Sequence, residues 1–204
     1  MSQQYSITFT NNSQMMGTAC VFQQDNNMPG YGVFPLAWMT RMCAPNMRTS
    51  FTWTPDYCFV WADAGRLMPG VVFNPSQVLP ADLNNQNEVT FDYRNGAYAF
   101  YNLQKGRQNG TLTIQETSSI PMNGTALVGI GMSGAATFVV QAMPNMNQLF
   151  RPAPTYWMAF DQFITGHVLD VDSMANIVEI PFPAGVYSMN VTLNPNNTWT
   201  VSPQ

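Results

Sequence analysis

The sequence predicts an all-β protein, a single antiparallel β-sandwich domain over residues 1–204, jelly-roll or Greek-key-like, with about 12 or more short strands and little helix. Three observations carry that expectation. Short runs rich in β-branched and aromatic residues are separated by turn residues roughly every 8–12 positions. Asn95-Gly96, set between two such runs, is the strongest short hairpin signal. No helix-length stretch places its apolar residues at helical spacing, and no linker divides the chain.

Taken in order, residues 5–10 alternate, with Tyr5, Ile7 and Phe9 on one face, and residues 11–13 close the strand. Residues 18–23 form a second strand, and Met28-Pro29-Gly30 turns into residues 32–34. Residues 36–42, bounded by Pro35 and Pro45, fit either a short helix or a buried strand. Residues 48–53 are a strand ended by Pro55-Asp56, and the apolar run 57–61 fits burial on both faces. Gly65-Arg66 and Met68-Pro69-Gly70 flank the next hairpin; residues 71–73 are a short strand, and 74–87 a loop.

Residues 88–93 and 97–102 form the clearest hairpin. After the polar turn 105–110, residues 111–115 alternate again. Residues 127–142 hold two apolar runs with glycines within and between them, and residues 144–148 break the pattern. Residues 156–160, 167–171 and 177–182 read as strands; 186–193 and 198–201 close the chain as a hairpin around Asn194 and Asn197. Tyr5-Ser6-x-x-Phe9-Thr10-x-Asn12 echoes Tyr187-Ser188-x-x-Val191-Thr192-x-Asn194, which marks two similar strands as neighbours. A looser echo links Met28-Pro29-Gly30 with Met68-Pro69-Gly70 at different spacing, so no repeat architecture follows.

Composition narrows the function classes. Charged residues are 9% of the chain and the net charge is −4, so little single-sign repulsion keeps copies apart. Twenty Asn and fourteen Gln make the polar surface largely one of neutral amides. Lys105 is the only lysine and the six arginines are scattered, which argues against nucleic acid and against an anionic membrane surface. Fifteen methionines exceed what adaptable core filler needs, and several, such as Met68, Met143 and Met146, stand in turn-like contexts.

Residues 127–142 carry the only patterns that resemble catalytic motifs. Gly129, Gly131 and Gly134 spell the G-x-G-x-x-G of a dinucleotide loop, which needs a following helix and an acid about 20 residues on. A β-branched run to Pro144 follows instead, and no acid lies between Glu116 and Asp161. Ser133, Asp161 and His167 occur in the chain order of an α/β-hydrolase triad. The elbow's last glycine is Ala135, however, and the parallel sheet with helices that such an elbow needs is not predicted. His167 is the only histidine, so histidine-based metal sites have no second ligand. Asp170-x-Asp172 fits a solvated turn or a fragment of a calcium loop whose glycine and glutamate are missing. No catalytic, cofactor-binding or metal-ligating residue is therefore expected.

Cys20, Cys43 and Cys58 lie far apart, which fits buried free thiols in a reducing compartment or one bridge with one thiol left over. Trp38, Trp53, Trp61, Trp157 and Trp199 stand in apolar contexts, most as core and one or two as surface anchors. The start Met1-Ser-Gln-Gln-Tyr-Ser lacks a positive segment followed by an apolar run, and no window is apolar enough to span a membrane. A cytoplasmic protein is expected, with leaderless export as the other route.

Gly129-Ile-Gly-Met-Ser-Gly-Ala-Ala-Thr-Phe-Val-Val-Gln-Ala142, Pro144-Asn-Met-Asn147, Tyr187-Ser-Met-Asn-Val-Thr-Leu-Asn-Pro195 and Asn197-Thr-Trp-Thr-Val201 resemble the RhiA-type rhizosphere-expressed bacterial proteins. Residues 5–13 and Phe51-Thr52-Trp53 extend the resemblance over most of the chain. It implies an abundantly expressed bacterial protein and carries over no catalytic residue. The methionine content and size are also similar to methionine-rich crystalline inclusion proteins, in composition alone. The expectation is a non-enzymatic protein that associates with itself into an ordered, inclusion-type assembly. The alternative is a recognition module for a glycan, a lipid or a host surface.

Overall fold

The computed structural model describes residues 3–25 and 32–204. Within them, period-two patterning resolves into seventeen strands and one short 3-10 turn, Val171–Ser173. The first half supplies β1 Tyr5–Asn11, β2 Gly17–Gln24, β3 Phe34–Pro35, β4 Met39–Cys43, β5 Arg48–Trp53, β6 Tyr57–Asp63, β7 Gln77–Pro80 and β8 Glu88–Arg94. The second half supplies β9 Ala97–Gln104, β10 Leu112–Glu116, β11 Ala126–Met132, β12 Ala135–Gln141, β13 Asn147–Phe150, β14 Thr155–Asp161, β15 Ile177–Glu179, β16 Ser188–Leu193 and β17 Trp199–Pro203. The all-β sandwich class expected from the sequence is the class found. The expected Met28-Pro29-Gly30 turn lies outside the described residues.

The strands form four sheets, ordered β17-β16-β1-β5, β15-β14-β2-β4, β3-β12-β11-β6-β7 and β13-β10-β8-β9. Each must bury an apolar face. The first two sheets share one core, with Ile7 and Phe9 of β1, Val21 of β2, Trp53 of β5, Met158 of β14 and Val191 of β16 all buried. The other two share a second, built on Phe59, Val89, Phe91, Ile114, Val128 and Phe138. Inward residues alternate along β1 and β16 because their other face is only half covered.

β11 departs from this alternation: all seven of its residues are buried. One face joins the second core through Val128 and Ile130, while Leu127 on the other packs with Val60, Val139, Leu36, Phe73 and Val168. A continuous apolar run is what a strand covered on both sides requires. The covering layer consists of irregular segments around Leu36 and Val168. Neighbouring Ala37 and Leu169 cover the back of β2 and β14 through Cys20, Phe22 and Ala159. These segments therefore fill the space between the two pairs of sheets.

Two pairings are parallel, β1 with β16 and β8 with β10. The first is the sequence echo made physical. Ser6 lies opposite Ser188 and Thr10 opposite Thr192, and the Ser6 hydroxyl donates to Ser188 Oγ at 2.8 Å. At the second crossing, the buried Asp92 carboxylate accepts hydrogen bonds from the Ser119 and Thr117 hydroxyls, Arg94 and the Tyr93 N–H. The Ser119 hydroxyl, then that of Thr117, hold Asp92 well below the usual carboxylate range, at about 2. Asp92→Asn is expected to lower stability at pH 7 by about 1–2 kcal/mol, a figure that allows for solvent screening on the exposed Arg94 side of the cluster. Urea unfolding of the two proteins checks it.

The amide richness has a local use as well as a surface one. Of the seven non-glycine residues at positive φ among those described, six are asparagines, Asn46, Asn95, Asn102, Asn145, Asn176 and Asn197, and the seventh is Ser133. Asparagine tolerates the left-handed region better than other side chains do. Turn chemistry thus accounts for part of the asparagine count.

Several segments differ from expectation. Residues 167–171 form no strand: His167 and Val168 make isolated bridges to Val72 and Leu36, and the 3-10 turn follows. Their backbone partners belong to the irregular filler between the sheets, so neither side offers a long edge. Residues 71–73 shorten to the Val72 bridge for the same reason. Residues 36–42 form no helix, and the buried-strand reading holds only in part: Leu36, Ala37 and Trp38 are buried, but the strand itself, β4, is an edge with Arg41 and Met42 exposed. β7 lies inside the expected loop 74–87, and β13 begins inside the expected break 144–148, both short and beside prolines.

Candidate functional site

The stretch 127–142 is the hairpin β11–β12, closed by Ser133 at φ 53° and Gly134 at φ 77°. Two successive positive-φ residues make the tight turn that matches strand twist. The glycines behind it serve packing. A Cβ on Gly129 would lie 1.9 Å from the Phe138 carbonyl oxygen, and one on Gly131 2.3 Å from that of Ala135. The register slips between Ile130 and Gly131, so these glycines sit at a bulge. The close approach is between backbones of adjacent strands in one sheet.

The tip of this hairpin enters the other pair of sheets. Met132 is buried in the first core, and its carbonyl accepts from Trp38 Nε1 at 3.1 Å. Gln23 Nε2 lies 3.4 Å from its sulfur. The Ser133 N–H donates to Asp56 O at 2.8 Å, and the Thr54 N–H points to Ser133 Oγ at 3.4 Å. Ser133 is thus occupied at the junction of the two cores. Asp161, at the end of β14, accepts from the Gln162 N–H, and the His167 backbone bonds to Ile164 and Ala37. No hydrogen bond joins Ser133, Asp161 and His167, so the chain-order triad is not assembled.

Asp170 accepts from the Ser173 hydroxyl at 2.6 Å and starts the 3-10 turn. Asp170 and Asp172 share a cavity of about 270 Å³ with Asp25, which sequence spacing could not bring to them. Asp25 accepts from the Ala153 N–H at 2.6 Å. Among the described residues, no three His, Cys, Asp or Glu side chains are grouped to hold a metal ion. Cys20, Cys43 and Cys58 are all buried and unbridged. Burial pushes each thiol's pKa up, that of Cys58 to about 11, which leaves little thiolate to react.

Trp38 and Trp53 are core residues. Trp61, Trp157 and Trp199 are half-buried, with their N–H groups held by Gln77, Thr155 and Asn176. Around Trp53, the rings of Tyr5 and Tyr156 lie at 5.8 and 4.9 Å, and Phe182 at 5.8 Å. Tyr187 completes the nest against Tyr5 at 5.4 Å.

A groove of about 1070 Å³ lies at the open end of the β11–β12 hairpin. Gln141 braces it: its Oε1 accepts from the Leu67 N–H at 2.7 Å, and its Nε2 donates to the Gly124 and Ala126 carbonyls. Met122, Met143, Met146 and Leu149 supply apolar walls, and Arg66 is the one charged residue lining it. Beneath its rim lies Glu116, buried, with Oε2 accepting from the Met143 N–H and Gln148 Nε2 while Oε1 has no partner. Burial pushes Glu116 up to about 7, and the Gln148 and Met143 bonds recover only part of the shift. Sequence reasoning missed this group, since its solitude among apolar neighbours arises only when β10 and β13 pair.

No helix among the described residues is long and apolar enough to cross a membrane. No solved structure matches this chain. A curated relative, Protein RhiA of Rhizobium leguminosarum bv. viciae, is 36% identical over 206 residues, covering 98% of this chain and 87% of the relative. The profile of the RhiA family matches residues 2–204, and with it the hairpin whose glycines and buried tip join the two cores. The chain therefore belongs to the RhiA family.

Proposed function

We propose that this chain is a non-enzymatic protein that associates with itself into an ordered assembly, in an inclusion-type or structural role in the cytoplasm. The observation that carries the reading is the placement of methionine. Of the eleven exposed large hydrophobic residues described, eight are methionines: Met15, Met16, Met42, Met47, Met68, Met122, Met143 and Met146. Among the described methionines, only Met132, Met158 and Met189 are fully buried in the core. Core filling therefore does not explain the methionine content. Flexible thioethers on a charge-poor, amide-rich surface favour contacts with other protein surfaces.

Light scattering across a concentration series tests the reading. The expected result is a mass that rises above the monomer well below millimolar concentration. A monomer persisting to millimolar concentration overturns it.

A second reading, a module recognising a glycan, rests on the partly exposed nest of Tyr5, Tyr156, Phe182 and Tyr187. Aromatic rings with polar edges suit sugar faces. A glycan array is expected to give hits that Tyr187→Ala removes; an array without hits overturns this second reading.

A further inference from the structure

Resting on the self-association reading, we infer that the methionine-lined groove receives the loop at residues 161–166 of a second copy of this chain. The groove offers apolar walls from Met122, Met143 and Met146, with the single cation Arg66 among its lining residues. Arg66 makes no ion pair with any described residue. An apolar projection carrying a carboxylate is the complement of such a surface.

Of the exposed large hydrophobic residues described outside the groove, Met68, Val78 and Tyr187 have no acidic residue within three positions of the chain, which leaves two apolar projections to compare. One gathers Met15, Met16, Met42 and Met47, where Asn11 binds the Met15 and Cys43 carbonyls and its N–H donates to Met47 O. The exposed arginines Arg41 and Arg48 flank that projection. The other is the loop after β14, which presents Ile164 at 58% exposure beside the exposed Asp161. Placing the first against Arg66 would bring like charges together in a partly dry contact, whereas the second brings Asp161 to Arg66. Charge therefore selects the Ile164 loop.

Groove and loop are different surfaces, so the contact is head-to-tail. Each copy keeps one free groove and one free loop, and growth continues into a ring or filament rather than stopping at a dimer.

The test is a charge exchange read by sedimentation velocity over a concentration series, with circular dichroism to confirm folding. Arg66→Asp and Asp161→Arg are each expected to weaken association at least tenfold, and the double variant to restore most of it. Met42→Gln, on the other projection, is expected to leave it unchanged. Association indifferent to both single exchanges, or lost equally with Met42→Gln, overturns this contact while leaving self-association in place. A discrete dimer that Arg66→Asp strengthens would show grooves meeting each other across a two-fold axis, and also overturns it. A monomer at every concentration removes the parent reading instead.

Discussion

Gly129→Ala is expected to destabilise the protein by about 4 kcal/mol or more, a large share of the roughly 5–15 kcal/mol that a domain possesses. The added methyl would meet the Phe138 carbonyl oxygen at 1.9 Å, and that oxygen is backbone, with no rotamer to move aside. Relief requires β11 and β12 to separate. All of β11 is buried, and its neighbours β6 and β12 are held on both sides. The strand therefore has no solvent face on which to absorb the displacement. Gly134→Ala is the contrast. Nothing lies within 4 Å of where its methyl would stand, but φ is +77°, so the cost is that of a left-handed alanine, about 1 kcal/mol. Urea midpoints of the two variants, measured with unchanged slopes, check the ranking. Equal midpoints would refute it.

The second large effect is a loss of stability on raising the pH. Glu116 has an ordinary value of 4.5 and is pushed up to about 7 in the folded chain, first by burial. The folded state therefore holds this proton more tightly than the unfolded state does. Its stabilising effect is complete below about pH 4.5 and is lost as the pH rises through about 7, a change of about 3 kcal/mol. Asp92, held at about 2, acts in the opposite sense: its contribution is complete above about pH 4 and is lost on acidification toward pH 2. Together they place maximum stability near pH 4–5. Glu116→Gln is expected to flatten the decline between pH 5 and 8 and to raise stability at pH 8 by about 2–3 kcal/mol. Chemical unfolding at several pH values checks this, and a variant with the same slope as the parent would refute it. The same titration falls beside the methionine groove, because Glu116 binds the Met143 N–H and Gln148.

Local chemistry was enough to place the hairpins. Asn95-Gly96 and Asn197 close turns whose positive φ values are visible as residue types, and alternation about them fixes which side chains point inward. The apolar run 57–61 announced burial on both faces, and β6 does send Phe59 into the second core and Cys58 and Val60 into the layer behind it, while the Tyr-Ser echo announced a pair of neighbouring strands that lie parallel and in register. The failed motifs in residues 127–142 were also legible, because a phosphate loop or an elbow needs a helix that the following β-branched run denies. Long-range pairing decided the rest. Asp25 joins Asp170 and Asp172 in one cavity, Arg66 joins Met143 and Met146 in one groove, and Glu116 loses a partner for one of its oxygens. Each grouping unites residues from segments far apart in the chain, and the pattern within any one segment does not say which sheet it will join. The irregular segments around Leu36 and Val168 make the same point. Their backbones answer to two sheets at once, so their own periodicity could not foretell isolated bridges in place of a strand.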